Sequence, residues 1–297
     1  MTRRFRAAQS RRPGLHAPRL ALALCLGVSA VAGCIRRPIT LSVAAAPTTR
    51  PADLRIDALG LVLNRVARPD GIDYDALRAD PRPLDRFLAQ AAGFGPRTAP
   101  AAFPDRAARL AYALNVYHAA MLRGVVAALG TRPLPARLWP DPRAVYEFTI
   151  DGQRRTAMEL HAAALAAAGD DWRVPLALSG PHRGDPPLSP YPFAPAVLEW
   201  QLRRQAQAAL TQPQILTIDH SYQRLRLHPA LLAAAPRLVA DYERRTGAAD
   251  ARFLSVLLEV LPHSRHAELN SSVGYELAPI DMNPALNSAA PGPAAAP

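Results

Sequence analysis

The chain has 297 residues, 49% of them hydrophobic, which is ample for a core and excludes a disordered protein. All 35 basic residues are arginine, and the formal charge of +11 is inflated by Arg3, Arg4, Arg6, Arg11, Arg12 and Arg19, which precede Cys34 where no acid occurs. The remaining excess is modest and dispersed, as on an ordinary solvated surface, and aromatic residues, 6% of the chain, do not interleave with basic ones, so nucleic acid is not an expected partner.

In chain order, residues 1–33 read as a targeting signal: the basic stretch leads into an apolar run, LALALCLGVSAVAG, at residues 20–33. Such a run is shorter than the roughly 20 residues a membrane span needs. It ends in Val31-Ala32-Gly33-Cys34, which resembles the bacterial lipobox, so Cys34 is expected to carry lipid and to tie the protein to a membrane. Ile35 rather than aspartate follows; by resemblance to Gram-negative lipoproteins this implies the periplasmic face of the outer membrane. Cys25 would leave with the signal, so the mature domain is expected to hold no disulfide and no cysteine nucleophile. Residues 34–52, rich in Ala, Pro and Thr, read as a flexible tether.

The folded domain is expected over 53–287, with a disordered tail at 288–297. In 53–66, Leu54, Ala58, Leu61 and Val62 recur at helical spacing on one side. A Pro69-Asp70-Gly71 turn follows, then a helix over 83–92 and a loop over 96–104. Residues 105–130 form the organising element, a helix apolar nearly all round and therefore buried, with Asp105 as N-cap and Gly130 at the left-handed C-cap. Its strongly polar positions after Leu110 are Asn115, His118 and Arg123; Asn115 and His118 share one face with Leu114 and Tyr117 beside them. Pro133, Pro135, Pro140 and Pro142 break the next stretch around Trp139. Extended runs at 145–150 and 153–156 joined by Asp151-Gly152 form a hairpin. A helix at 159–168, a short strand at 174–179 and a proline-rich loop at 180–195 come next. Helices at 196–210, 229–245 and 251–261 bracket a second hairpin, 215–219 with 222–227, turning at His220-Ser221, and residues 274–281 are extended. The whole is expected to be a mainly helical α+β single domain with short strands in hairpins.

Four stretches resemble the family called domain of unknown function 547. Gly71-Ile72-Asp73-Tyr74-Asp75-Ala76-Leu77 is similar to its G-x-V-D-Y-x-x-L, and the 110–119 segment is similar to its A-F-W-I-N-x-Y-N-A helix. Arg173-Val174-Pro175-Leu176-Ala177-Leu178 through Leu188 resembles R-x-H-F-A-L-x-C-G-x-x-x-C-P-P-L, and 277–287 resembles a P-Y-D-W-x-L-N ending. Where family members commonly carry histidine this chain has Pro175, and the two cysteine positions fall on Gly180 and Asp185. His118 stands for an asparagine and Met282 for a tryptophan. The resemblance implies a fold loosely analogous to papain- or transglutaminase-like hydrolases, with any chemistry resting on that histidine or those cysteines lost here.

The residues themselves advertise little chemistry. Ser179, His182 and Asp185 lie within one loop, whereas triads are assembled from distant segments. His263 and His266 are spaced i, i+3 with few acids near, and Asp170-Asp171 has no second acidic cluster, so no metal is expected. Phosphate and dinucleotide loops are absent, so no cofactor is expected. Buried Asn115 and His118 need partners, and those are expected between 175 and 185, forming a shared pocket of Asn115, Tyr117, His118, Arg173, Ser179, His182, Arg183, Asp185 and Asp281. Two functions fit: a lipid-anchored envelope binding module with a remodelled pocket, or a hydrolase with His118 or His182 as base.

Overall fold

Short polar signals start and stop the elements in the computed structural model, which describes residues 38–41, 54–131 and 141–290. Strand β1 (Ile39–Thr40) precedes helix α1 (Asp57–Val66), and β2 (Ala67–Arg68) and β3 (Gly71–Ile72) form a tight hairpin over Pro69-Asp70. Helix α2 (Tyr74–Ala79) is capped by Asp73, whose carboxylate accepts the Ala76 N–H at 2.9 Å. Helix α3 (Arg82–Gly93) leads by a loop to α4 (Arg106–Thr131), and there Asp105 caps as expected, accepting from the Ala108 N–H at 2.8 Å. After α5 (Pro142–Val145), the hairpin β4 (Tyr146–Ile150) and β5 (Gln153–Thr156) turns on Asp151 (φ 50°) and Gly152 (φ 71°), two consecutive left-handed residues as a type I′ turn requires. Helix α6 (Ala157–Ala168) opens on a capping box between Thr156 and Glu159. Then come α7 (Arg173–Ala177), α8 (Leu198–Leu210), the hairpin β6 (Leu216–Asp219) and β7 (Arg224–Leu227), α9 (Pro229–Thr246), α10 (Phe253–Val260), α11 (His266–Asn270) and β8 (Glu276–Pro279).

This is the mainly helical α+β architecture expected, with sheets of order β1-β4-β5, β2-β3 and β6-β7-β8. Helix α4 is the axis: it packs most extensively on α6 and touches α2, α3, α5 and β4 as well. By length and composition α4 could cross a membrane, yet most of it is buried against those neighbours, as a core helix is. A second apolar cluster joins α8, α9, α10 and the β6–β7 hairpin. Helix α7 lies between the clusters, giving Val174 and Ala177 to the first and Leu176 to the second.

Several expectations are corrected. Residues 173–177 are helical, not a strand: an apolar run of this length has no period that separates the two, and Pro175 sits in the first helical turn, where a missing N–H is harmless. On α1 the buried face is Leu59, Val62, Leu63 and Val66, while Leu61 is 69% exposed; Leu54 precedes the helix, so including it rotated the expected face. Gly130 is no left-handed cap, because the helix runs on to Thr131. Part of the expected tether is β1, which adds in parallel to the free edge of β4, Ile39 opposite Tyr146, with the Leu41 N–H bonded to Glu147 O at 3.0 Å. The expected tail begins later than 288, since Ala289 N–H reaches Ile72 O and Ala290 N–H reaches the Asp70 carboxylate, both at 2.9 Å. The signal segment, Cys34 and the proline-rich stretch around Trp139 lie outside the described residues.

Candidate functional site

Asn115 and His118 each meet the loop that follows α7, but at different points. The Asn115 amide takes both main-chain groups of Phe193, accepting its N–H and donating to its carbonyl, each at 2.8 Å. One helix turn on, His118 Nε2 accepts the Ser179 N–H at 3.3 Å, and the adjacent Tyr117 hydroxyl donates to Ser179 O at 2.7 Å. The expected meeting of the helix face with residues 175–185 is therefore present through His118 and Tyr117, while Asn115 reaches further along. Burial pushes the His118 imidazole down to about 3, with His161 adding to the effect, so it is neutral. Asn115, Tyr117 and His118 are all essentially inaccessible to solvent.

What faces solvent is the first part of the loop. His182 Nδ1 lies 3.2 Å from Asp185 Oδ2, which also accepts the His182 N–H at 2.8 Å. Burial opposes the Asp185 charge, yet the hydrogen bonds from His182 and the field of Arg143 hold the carboxyl below the usual range. Beneath it, Tyr74 donates to Asn287 Oδ1 at 2.8 Å, and Asn287 Nδ2 donates to Gly180 O at 2.7 Å. Arg143 is clamped on Asp141, one contact being 2.7 Å. The closing segment is fixed by main chain too: Asn287 N–H to Pro181 O at 2.9 Å and Arg183 N–H to Ala285 O at 2.8 Å. The approach is so close that a Cβ on Gly71, which has φ 150°, would stand 2.3 Å from Asn287 O.

Above this network lies a cleft of about 270 Å³ whose polar lining includes Arg68, Asp70, His182, Arg183, Asp185 and Asn287. The expected pocket is thus split. His182, Arg183 and Asp185 line the cleft; Asn115, Tyr117, His118 and Ser179 are buried and do not. Two residues are placed wrongly. Arg173 is drawn to Asp171 and Glu199, each at 2.7 Å, at the start of α7. Asp281 is almost fully exposed and pairs with Arg226 at 2.8 Å on the outer side of the β7–β8 pair. Ser179 Oγ is buried with no hydrogen-bond partner, so the loop's serine, histidine and aspartate do not form a triad: the His–Asp contact exists, the Ser–His contact does not.

Gly180 and Asp185, the two cysteine positions of the resembled family, are immediate neighbours: a Cβ on Gly180 would lie 2.1 Å from Asp185 Oδ2. The carboxylate fills the space a side chain at 180 would take. Elsewhere, Asp170 pairs with Arg237, and His266 Nε2 is 3.0 Å from Leu261 O. Among the described residues no three His, Cys, Asp or Glu side chains converge as a metal site would need.

Sequence reasoning missed Tyr74 and Asn287 as partners, although both stand inside resembling motifs, and their bond joins those motifs together with the main-chain bonds between Ile72 and residues 287 and 289. Arg143, His161 and His228 carried no local signal. Each is an isolated residue brought in by topology: His161 packs edge-on against Tyr117, and His228 caps α9 by accepting the Ala230 N–H while its Nε2 is buried and unpartnered. Burial, and for His161 the Arg143 charge, lowers both imidazoles below their usual range. Comparison with family models, with curated proteins and with solved structures returned no match.

Proposed function

We propose that the chain is a lipid-anchored cell-envelope protein, tied through Cys34 to the periplasmic face of the outer membrane, whose cleft binds a small polar ligand. The four motifs support a remodelled relative of the domain of unknown function 547 family. One observation carries the binding reading: the cleft presents an imidazole oriented by a carboxylate, beside two arginines and an amide, while the hydroxyl of the nearby Ser179 is buried with no hydrogen-bond partner. Such a lining can hold and orient a ligand by charge and hydrogen bonds. It offers no activated side-chain nucleophile.

The His182–Asp185 contact also favours a second reading, a hydrolase in which His182 activates water. A screen of the purified protein separates the two. Thermal-shift titration with amino acids, dicarboxylates and sugars should give a hit that His182→Ala removes, and chromogenic ester, peptide and glycoside substrates should show no turnover. Turnover that disappears in His182→Ala would replace the binding reading with the hydrolase. For the anchor, a fatty-acid analogue should label the protein in cells, and Cys34→Ser should abolish the label; persistent labelling contradicts the assignment.

A further inference from the structure

A second groove, about 290 Å³, shares no lining residue with the His182 cleft. Its floor is apolar and drawn from three elements: Tyr112 and Val116 of α4, Ile150 of β4, and Leu160 and Ala163 of α6. Arg97, Arg109 and Arg155 stand around it. None of these three has a carboxylate within ion-pair distance among the described residues; their guanidiniums rest on neutral acceptors. Arg97 donates to Asp151 O at 2.8 Å, Arg109 to Phe103 O at 3.0 Å, and Arg155 to the Gln153 side chain. Asp151, the acid of the lining, has its carboxylate occupied by the Arg97 N–H at 2.7 Å and by the Thr98 N–H at 2.8 Å and hydroxyl at 2.7 Å. The groove therefore joins an apolar floor to an excess of un-neutralised positive charge.

We infer that this groove binds a single-chain anionic amphiphile, a free medium-chain fatty carboxylate, with its chain on the α4–α6 floor and its head among the arginines. An apolar trough alone would accept any hydrocarbon, and arginines alone would accept any anion. Together they select a molecule that is both, because guanidiniums bind carboxylates through paired N–H donors and the chain gains by leaving water. The volume sits at the small end of the range for ligand sites, roughly 300–1,000 Å³, which suits one short chain rather than a two-chain phospholipid.

The test uses the full chain as purified. It is titrated calorimetrically with sodium octanoate and decanoate below their micelle concentrations, and with 1-decanol. Decanoate should bind with one site and tighten over octanoate by about fourfold per methylene, with decanol about tenfold weaker. Arg109→Gln with Arg155→Gln should bring decanoate down to the decanol level, and Ala163→Phe should remove binding of both, each variant keeping the wild-type unfolding midpoint. Equal affinity for decanol and decanoate overturns the inference, as does binding unchanged in both variants. So does absence of decanoate binding, or binding seen with phosphatidylglycerol vesicles and not with free decanoate.

Discussion

At Phe193 the long loop after α7 is held by side chains: Asn115 closes both main-chain hydrogen bonds of that residue from within a fully buried helix face, and Gln201 accepts the Ala194 N–H and donates to Pro192 O, each at 2.8 Å. At His182, eleven residues earlier in the same loop, the fastening is done by groups that line the cleft, Asp185 from the loop itself and Asn287 from the C-terminal segment. The first attachment leaves no polar group over. The second leaves an imidazole edge, two arginines and a cleft. Polar residues on the buried helix thus position the loop, and the solvent-facing polar groups His182, Arg183 and Asp185 are on the loop.

The buried side of that comparison breaks most severely at Leu114. Its truncation in Leu114→Ala leaves a cavity in the core around the central helix and should cost about 2–5 kcal/mol in denaturant unfolding; a loss under about 1 kcal/mol, typical of surface sites, would place the helix at the periphery. Asn115→Ala is of similar size, because it strands the Phe193 N–H and carbonyl together, at about 1–3 kcal/mol for each group left unsatisfied. Asn115→Asp should be no rescue, since it can accept from Phe193 but no longer donate. Retention of wild-type stability in Asn115→Ala would show the loop to be held by something else.

A pH series sharpens the same contrast. The folded His118 is lowered to about 3, so between its unfolded value near 6.5 and about 3 the unfolded chain binds the extra proton. Stability from this group is complete above about pH 6.5 and falls as pH drops, with a slope of about 1.4 kcal/mol per pH unit at most. His118→Gln should flatten that slope, and denaturation curves at pH 7, 5.5 and 4.5 measure it. Asp185 has a dependence of the same sign at lower pH: its folded carboxyl is depressed, so its contribution is present above the usual carboxylate range and is lost as pH falls through and below that range. Gly180→Ala has a smaller effect on stability but a specific one, since its new methyl displaces the Asp185 carboxylate and frees His182. In NMR the His182 ring resonances should then move to those of an unpaired histidine; unchanged resonances would mean the loop accommodates the methyl elsewhere.

The central helix was legible because nothing but Asn115, His118 and Arg123 interrupts its apolar run, and burial follows from that alone. The β4–β5 hairpin was legible because Asp-Gly carries its own backbone geometry. Helix α7 was not, since one arginine and four apolar residues, a proline among them, have no period to read. The site was half legible for the same kind of reason. His182 and Asp185 are neighbours in sequence and could be paired on paper, whereas Tyr74 and Asn287 are more than two hundred residues apart and meet only because the C-terminal segment returns to the β2–β3 hairpin. Arg173 and Asp281 had the right chemical type in the wrong place, because a motif records order along the chain and not which side of an element a residue occupies.

The most direct measurement compares His182→Ala with His118→Gln for folding and ligand response side by side. The account predicts that His182→Ala, whose ring is partly exposed, loses less stability than His118→Gln and loses the thermal-shift response to the polar-ligand panel. His118→Gln should be markedly less stable and, below its own unfolding temperature, still respond. A His182→Ala protein that keeps the response, alongside a stable His118→Gln protein that loses it, would contradict the division between buried scaffold and solvent-facing site.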